Sequence, residues 1–71
     1  MKAIKGFDKR LQNAIFAKNM TIDDVAIKTK SSRSCLYGYI YQSKMPYCLN
    51  LVKLSRELEV STDYLLGLKE G

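Results

Sequence analysis

Residues 21–40 read TIDDVAIKTKSSRSCLYGYI, and this stretch decides the fold. Thr21 is followed three residues later by Asp24, which resembles a capping box with aspartate in place of glutamate and predicts the start of a helix. The run Lys30-Ser31-Ser32 is a polar break, and Ser32 is a suitable N-cap for a further helix. The stretch therefore predicts two short helices joined by a tight turn.

The flanking sequence predicts three more helices. An amphipathic first helix is expected from about Phe7 to Lys18, and a fourth helix should follow the loop that contains Pro46. Ser61 caps a short last helix, which Gly67 is placed to end. No stretch alternates with period two, so no sheet is expected. The prediction is an all-α fold whose apolar helical positions include Phe7, Leu11, Ala14, Ile15, Ile22, Val25, Ala26, Leu36, Tyr39, Ile40, Leu51, Val52, Leu54, Leu58, Leu65 and Leu66.

The length of 71 residues allows one compact domain, which we expect to span 1–71 with a core from about 7 to 67. No apolar run is long enough to cross a membrane, and the first residues lack the pattern of a signal peptide, so a cytoplasmic protein without a membrane partner is expected. Cys35 and Cys48 form no metal-ligand pattern and the chain has no histidine. We expect no metal and no cofactor, with both thiols reduced and used as small packing residues rather than as redox sensors.

Positive charge is concentrated in one region. The formal net charge is +5, and between Val25 and Arg56 there is no aspartate or glutamate. The cations of that window are Lys28, Lys30, Arg33, Lys44, Lys53 and Arg56. One face of the domain is therefore expected to be basic, which favours an acidic partner.

The order of these elements resembles a known family. Thr21-Ile-Asp-Asp-Val-Ala26 followed by Ser32-Arg-Ser-Cys-Leu36 is similar to the helix-turn-helix of phage-repressor and Cro-type (Xre-like) regulators. The segment Leu51–Gly67, with Val60-Ser61 leading into Leu65-Leu66, is similar to the last two helices of that family. The resemblance covers about residues 7–67. It implies a five-helix, lambda-repressor-like DNA-binding domain in which helices two and three form the helix-turn-helix, Ala26 permits a close helix crossing and Leu36 anchors the third helix.

Four positions depart from the family pattern. Lys30 stands where the family has glycine, so either Lys30 is left-handed at a cost of about 1 kcal/mol or the turn is built differently. Ser31 replaces a hydrophobic residue, and Ile22 replaces the polar residue that contacts phosphate at the start of the second helix. Gly38 stands where the resemblance implies a base-reading side chain, and its small size hints at a close approach of DNA.

The resemblance implies a double-stranded DNA partner and assigns roles to side chains around the third helix. Base-reading residues are expected to be Arg33, Ser34 and Tyr37, because the exposed N-terminal side chains of that helix enter the major groove. Arg33 can bond bidentately to guanine O6 and N7; its alternative is a solvated surface charge. Tyr37 could equally be packing cover. The expected phosphate-binding residues are Lys30, Ser32, Tyr41, Ser43 and Lys44.

The family implies a sequence-specific transcriptional regulator of the repressor type that binds DNA as a homodimer. Tyr64, Leu65 and Leu68 either form the dimer interface or complete the core of the monomer. The alternative function is a protein–protein interaction module, for instance an antitoxin-like partner subunit on the same fold. An enzyme with a small-molecule substrate is not expected, because the sequence offers no histidine, phosphate-binding loop or metal-ligand cluster.

Overall fold

Five helices make up the described part of the chain. The computed structural model describes residues 4–69 and has no β-strand within them. The predicted all-α fold is confirmed, with the second and third helices in the positions of the helix-turn-helix. In chain order the helices are α1 (Phe7–Ala17), α2 (Ile22–Lys28), α3 (Arg33–Tyr41), α4 (Cys48–Leu58) and α5 (Thr62–Leu66).

Side chains cap the beginnings of α2, α3 and α5. The Thr21 hydroxyl accepts a hydrogen bond from the Asp24 N–H (3.1 Å), and the Asp24 carboxylate accepts one from the Thr21 N–H (3.0 Å). The Thr21 backbone N–H is also the main cause of a lowered pKa at Asp24. Ser32 and Ser61 accept from the N–H three residues later, at 3.1 and 3.0 Å. These contacts confirm the capping box and both predicted serine caps.

One core joins all five helices. α3 contacts both α1 and α2, while α5 packs against α1 and α4. Ala26 is buried where α2 meets α3, and Leu36 is fully buried, as the resemblance implied. The buried apolar residues of the described chain are Phe7, Leu11, Ala14, Ile15, Val25, Ala26, Leu36, Tyr39, Ile40, Leu54, Leu58 and Leu65. This core holds the two helices of the helix-turn-helix in a fixed relation.

Arg10 ties the beginning of α1 to the end of α5. Its Nε–H donates to the Leu65 carbonyl oxygen and its Nη2–H to that of Lys5, both at 3.0 Å. A Cβ atom on Gly67, whose φ is +80°, would lie only 2.7 Å from Arg10 Nη2. Glycine at this position therefore serves both the left-handed end of α5 and the space that the guanidinium occupies.

The cysteines depart from the sequence prediction. Cys35 and Cys48 are both free thiols, but both are exposed, so they are not packing residues. Cys35 lies with Ser34 on the exposed side of α3, and Cys48 is the exposed first residue of α4. Within residues 4–69 there is no cluster of three or more metal-ligating side chains, and no helix has the length and apolarity to span a membrane.

Candidate nucleic-acid interface

The two faces of α3 have different compositions. Leu36, Tyr39 and Ile40 point into the core, and the buried Tyr39 hydroxyl accepts a hydrogen bond from Asn50 Nδ2 at 3.4 Å. Burial raises the pKa of Tyr39. The sequence-based assignment of Tyr39 to the core is therefore confirmed. The exposed residues of α3 are Arg33, Ser34, Cys35, Tyr37 and Tyr41.

The predicted base-reading residues lie together on the outer face of α3. Arg33 and Ser34 occupy its first two positions, and Tyr37 lies one turn after Arg33. The rings of Tyr37 and Tyr41 stack, with centroids 5.7 Å apart and planes inclined by 20°. This contact joins a predicted base-reading residue to a predicted phosphate-binding residue along one edge of the helix. The stacked pair forms a preordered aromatic surface, because one ring limits the rotation of the other.

Arg33 is held by a carboxylate of α2. Its Nε–H donates to Asp23 Oδ1 at 2.7 Å and its Nη2–H to Asp23 Oδ2 at 2.8 Å. This hydrogen bonding raises the pKa of Arg33 further above its ordinary value. The guanidinium is therefore a permanent cation, and the Arg33 side chain is still 66% exposed. Arg33 is thus accessible on the surface but is not a freely moving charge.

This pair was not predicted from the sequence. Of the two acidic residues in the first turn of α2, Asp24 completes the predicted capping box, whereas Asp23 contacts Arg33. Adjacent helix residues point in different directions, and the Asp23 side chain points toward Arg33, the first residue of α3. Finding the pair from sequence would have required the crossing geometry of α2 and α3.

Lys44 lies against α3 at Gly38. The Lys44 N–H donates to the Gly38 carbonyl oxygen at 3.2 Å, and a Cβ on Gly38 would meet Lys44 Cδ at 3.0 Å. The missing side chain at Gly38 is therefore covered by the lysine stem, which corrects the idea that this glycine leaves room for DNA. Glycine here brings the exposed Lys44 close to the end of α3.

The other predicted phosphate-binding residues lie at the two ends of α3. Lys30 is exposed in the turn before the helix and is left-handed, with φ 56°, which decides between the two alternatives for the turn. Ser32 is exposed and its hydroxyl caps α3. Tyr41 ends the helix, and Ser43 follows it with φ 54°. The predicted contacts thus surround the outer face of α3 rather than scattering over the molecule.

The predicted dimer residues separate in the structure. Leu65 is fully buried and Tyr64 packs partly against the core, so Leu65 completes the monomer and cannot be an interface residue. Packing of α5 against both α1 and α4 explains this correction. Leu68 is 76% exposed and leaves an apolar side chain available for a partner.

No family model matches this chain, but comparison with known proteins finds similar ones. The chain is 37% identical over 62 residues to YobD of Bacillus subtilis, an uncharacterized HTH-type transcriptional regulator. The match covers 87% of this chain and 55% of YobD, so the chain spans about half the length of that relative. The crystal structure of C.AhdI, a restriction-modification controller protein from Aeromonas hydrophila, superposes with a TM-score of 0.78.

The C.AhdI match covers 87% of this chain and 94% of that chain at 22% sequence identity, and it establishes the fold. Over most of its length this chain is therefore similar in sequence to an HTH-type transcriptional regulator, and it shares the fold of a controller protein.

Proposed function

We propose that this chain binds double-stranded DNA sequence-specifically, reads the major groove with α3 and acts as a transcriptional repressor. The observation that carries the proposal is the outer face of α3, where Arg33, Ser34 and Tyr37 lie side by side on a helix that the core holds in place. The major groove admits an α-helix, and each base pair presents a distinct pattern of donors and acceptors there. Neither catalysis nor a cofactor is needed for this activity.

Side chains at both ends of α3 supply the contacts to phosphate in this proposal. Such contacts carry little sequence information but provide much of the affinity and make it dependent on salt. The absence of acidic residues between Val25 and Arg56 supports this role, because no carboxylate in that segment opposes the approach of phosphate. The contributing residues are Lys30, Ser32, Tyr41, Ser43 and Lys44.

A homodimer is part of the same proposal. The domain measures 27 × 25 × 19 Å, whereas adjacent major-groove half-sites on one side of DNA are about 34–36 Å apart. One copy can therefore read one half-site, and two related copies are needed for a symmetric operator. We assign the dimer contact to the exposed Leu68 and the partly buried Tyr64 of α5.

The proposal is tested by fluorescence anisotropy on a duplex selected from a random pool by the wild-type chain. Arg33→Ala should lower the preference for the selected duplex over random duplex by about 1–3 kcal/mol, the usual contribution of one bidentate base contact. Arg56→Ala removes the same kind of side chain from an exposed site in the last turn of α4 and is the matched control.

The outcomes separate the proposed activities. Binding that weakens with salt, together with selected sites that lose preference in Arg33→Ala but not in Arg56→Ala, supports base reading by α3. Equal losses in the two variants would leave only charge-driven binding. If no duplex is bound at low salt, DNA reading is refuted, and a protein partner becomes the function to examine.

A further inference from the structure

The guanidinium of Arg33 is used on one edge only. Arginine offers five N–H donors, and the pair with Asp23 takes the Nε–H and one Nη2–H, at 2.7 and 2.8 Å. The donors left over are the two hydrogens of Nη1 and the second hydrogen of Nη2. One hydrogen of Nη1 and the free hydrogen of Nη2 form the terminal edge of the group, which is separate from the edge that Asp23 occupies. A planar edge with two parallel N–H groups matches the O6 and N7 acceptors of guanine.

We infer that Asp23 is a positioning residue that fixes Arg33 so that its terminal edge reads a guanine in the major groove. This inference rests on the proposed function, because it assigns a base and an orienting partner to the reading helix. Arg33 is the first residue of α3, and its long side chain has many conformations when it is free. Two short, parallel hydrogen bonds to one carboxylate restrict the guanidinium to one plane and leave its outer edge accessible.

A carboxylate near the DNA also has an unfavourable effect. Asp23 is 47% exposed beside the reading helix, and its negative charge repels phosphate. Asp23 therefore lowers binding to every sequence alike while it raises the difference between sequences. Removal of a positioning residue should therefore lower sequence preference without weakening overall affinity. Removal of an ordinary contact residue weakens the affinity itself.

Apart from its favourable charge in the first turn of α2, the described contacts of Asp23 are those with Arg33. The N-terminus of α2 is already closed by Thr21 and Asp24, which form the capping box. Both side chains of the Asp23–Arg33 pair are substantially exposed, so the pair adds little to the stability of the fold. The variant Asp23→Asn should therefore fold like wild type, and its effect on DNA should be measurable without a loss of structure.

The experiment compares wild type with Asp23→Asn, Arg33→Ala, the double variant and Asp63→Asn. Asp63 is an exposed aspartate in the first turn of α5, so Asp63→Asn makes the same change of charge outside the helix-turn-helix. Each G·C pair of a duplex selected by wild type is exchanged in turn for A·T. Anisotropy gives the affinity for each duplex and for random duplex, and circular dichroism confirms the fold.

We expect one position where wild type prefers guanine by about 5- to 150-fold, a preference that Arg33→Ala abolishes. Asp23→Asn should lose most of that preference while it binds random duplex as tightly as wild type or more tightly. The double variant should show no further loss of preference beyond Arg33→Ala, because Asp23 acts only through Arg33. Asp63→Asn should keep the wild-type preference.

Three results would overturn the inference. If Asp23→Asn keeps the full preference for guanine, or binds all duplexes more tightly by one common factor, then Asp23 only competes with DNA for Arg33. If Asp23→Asn still loses preference when Arg33 is alanine, Asp23 acts independently of the arginine. If wild type binds no duplex at all, both the proposed function and this inference fail. The first two results, by contrast, would overturn the inference and leave the proposed function standing.

Discussion

The turn between α2 and α3 and the turn between α4 and α5 follow the same backbone path. In each, the turn after the helix contains a left-handed residue that is not glycine, with φ 56° in both cases. The next N–H then bonds to the carbonyl five residues earlier, at 2.8 Å in the first turn and 3.1 Å in the second. The left-handed residue, the closing residue and the capping serine are Lys30, Ser31 and Ser32 in one turn, and Glu59, Val60 and Ser61 in the other.

The two turns differ in what fills them. Leu58 is fully buried before the second turn, and Val60 packs against the core within it. In the first turn the equivalent of Leu58 is Thr29, whose hydroxyl lies 2.8 Å from the Val25 carbonyl oxygen and 3.1 Å from the Ser31 hydroxyl. The second turn also has a hydrogen bond from the Ser55 hydroxyl to the Val60 carbonyl oxygen. The two turns therefore differ in the buried side chain, which is apolar in the second turn and a hydrogen-bonded hydroxyl in the first. The turn beside the candidate interface can therefore be polar without losing its shape.

The largest difference between the turns should appear on truncation of Leu58 and Thr29. Leu58→Ala should lower the free energy of unfolding by about 2–5 kcal/mol, because it leaves a cavity in the core. Thr29→Ala should cost about 1 kcal/mol, since it removes a hydroxyl whose main acceptor, the Val25 carbonyl, also bonds to the Thr29 N–H. Urea unfolding followed by circular dichroism gives both values. Equal losses would mean that the two turns are fixed in the same way.

A smaller effect is expected at the left-handed residues themselves. Lys30→Gly should raise the free energy of unfolding by about 0.5–1 kcal/mol, because glycine removes the left-handed penalty but adds freedom to the unfolded chain. Glu59→Gly should gain less, since it also breaks the ion pair between Glu59 and Lys18.

The matched controls for this pair of changes are Lys30→Ala and Glu59→Ala, which remove the charge and keep the strain. Thermal unfolding of all the variants separates the two contributions. If Lys30→Gly and Lys30→Ala have the same stability, the left-handed geometry of the first turn carries no penalty. The left-handed residues of the two turns would then differ in energetic cost, although both have φ 56°.

The fold was predictable because local signals agreed with one another. The capping box at Thr21, the serine caps and the end of α5 at Gly67 all act within four residues, and apolar spacing added the inner face of each helix. The start of α4 was less well marked, because Tyr47 makes no side-chain hydrogen bond at the N-cap. Burial of Leu65 was not decided by spacing, since it depends on how α5 sits against α1 and α4.

The sequence predicted which positions belong to the candidate interface, but it did not predict the contacts between them. Helical spacing placed Arg33 and Tyr37 on one face of the third helix, and the structure agrees. The contact of Asp23 with Arg33 and the cover of Gly38 by Lys44 join residues from different elements. Such contacts depend on the angle and distance between elements, which one sequence pattern does not contain.

The smallest expected effect is on the pH dependence of stability, which should differ between the two turns. Hydrogen bonding by Lys18 lowers the pKa of Glu59 below its ordinary value. A lowered pKa in the folded state stabilises the protein above the ordinary glutamate pKa, and this contribution disappears as the pH falls through the lowered value. Glu59→Gln should therefore be less stable than wild type at pH 7, and the difference should shrink as the pH is lowered to 2.5.

Lys30 is the matching position in the first turn, and it makes no ion pair within residues 4–69. The difference in urea midpoint between Lys30→Gln and wild type should therefore be the same at pH 7 and pH 2.5. If Glu59→Gln behaves in the same way, the exposed pair with Lys18 contributes nothing to stability, as many surface ion pairs do. The second turn would then be held by the burial of Leu58 and Val60 and by the hydrogen bonds between Val60 and Ser55, without a contribution from the ion pair.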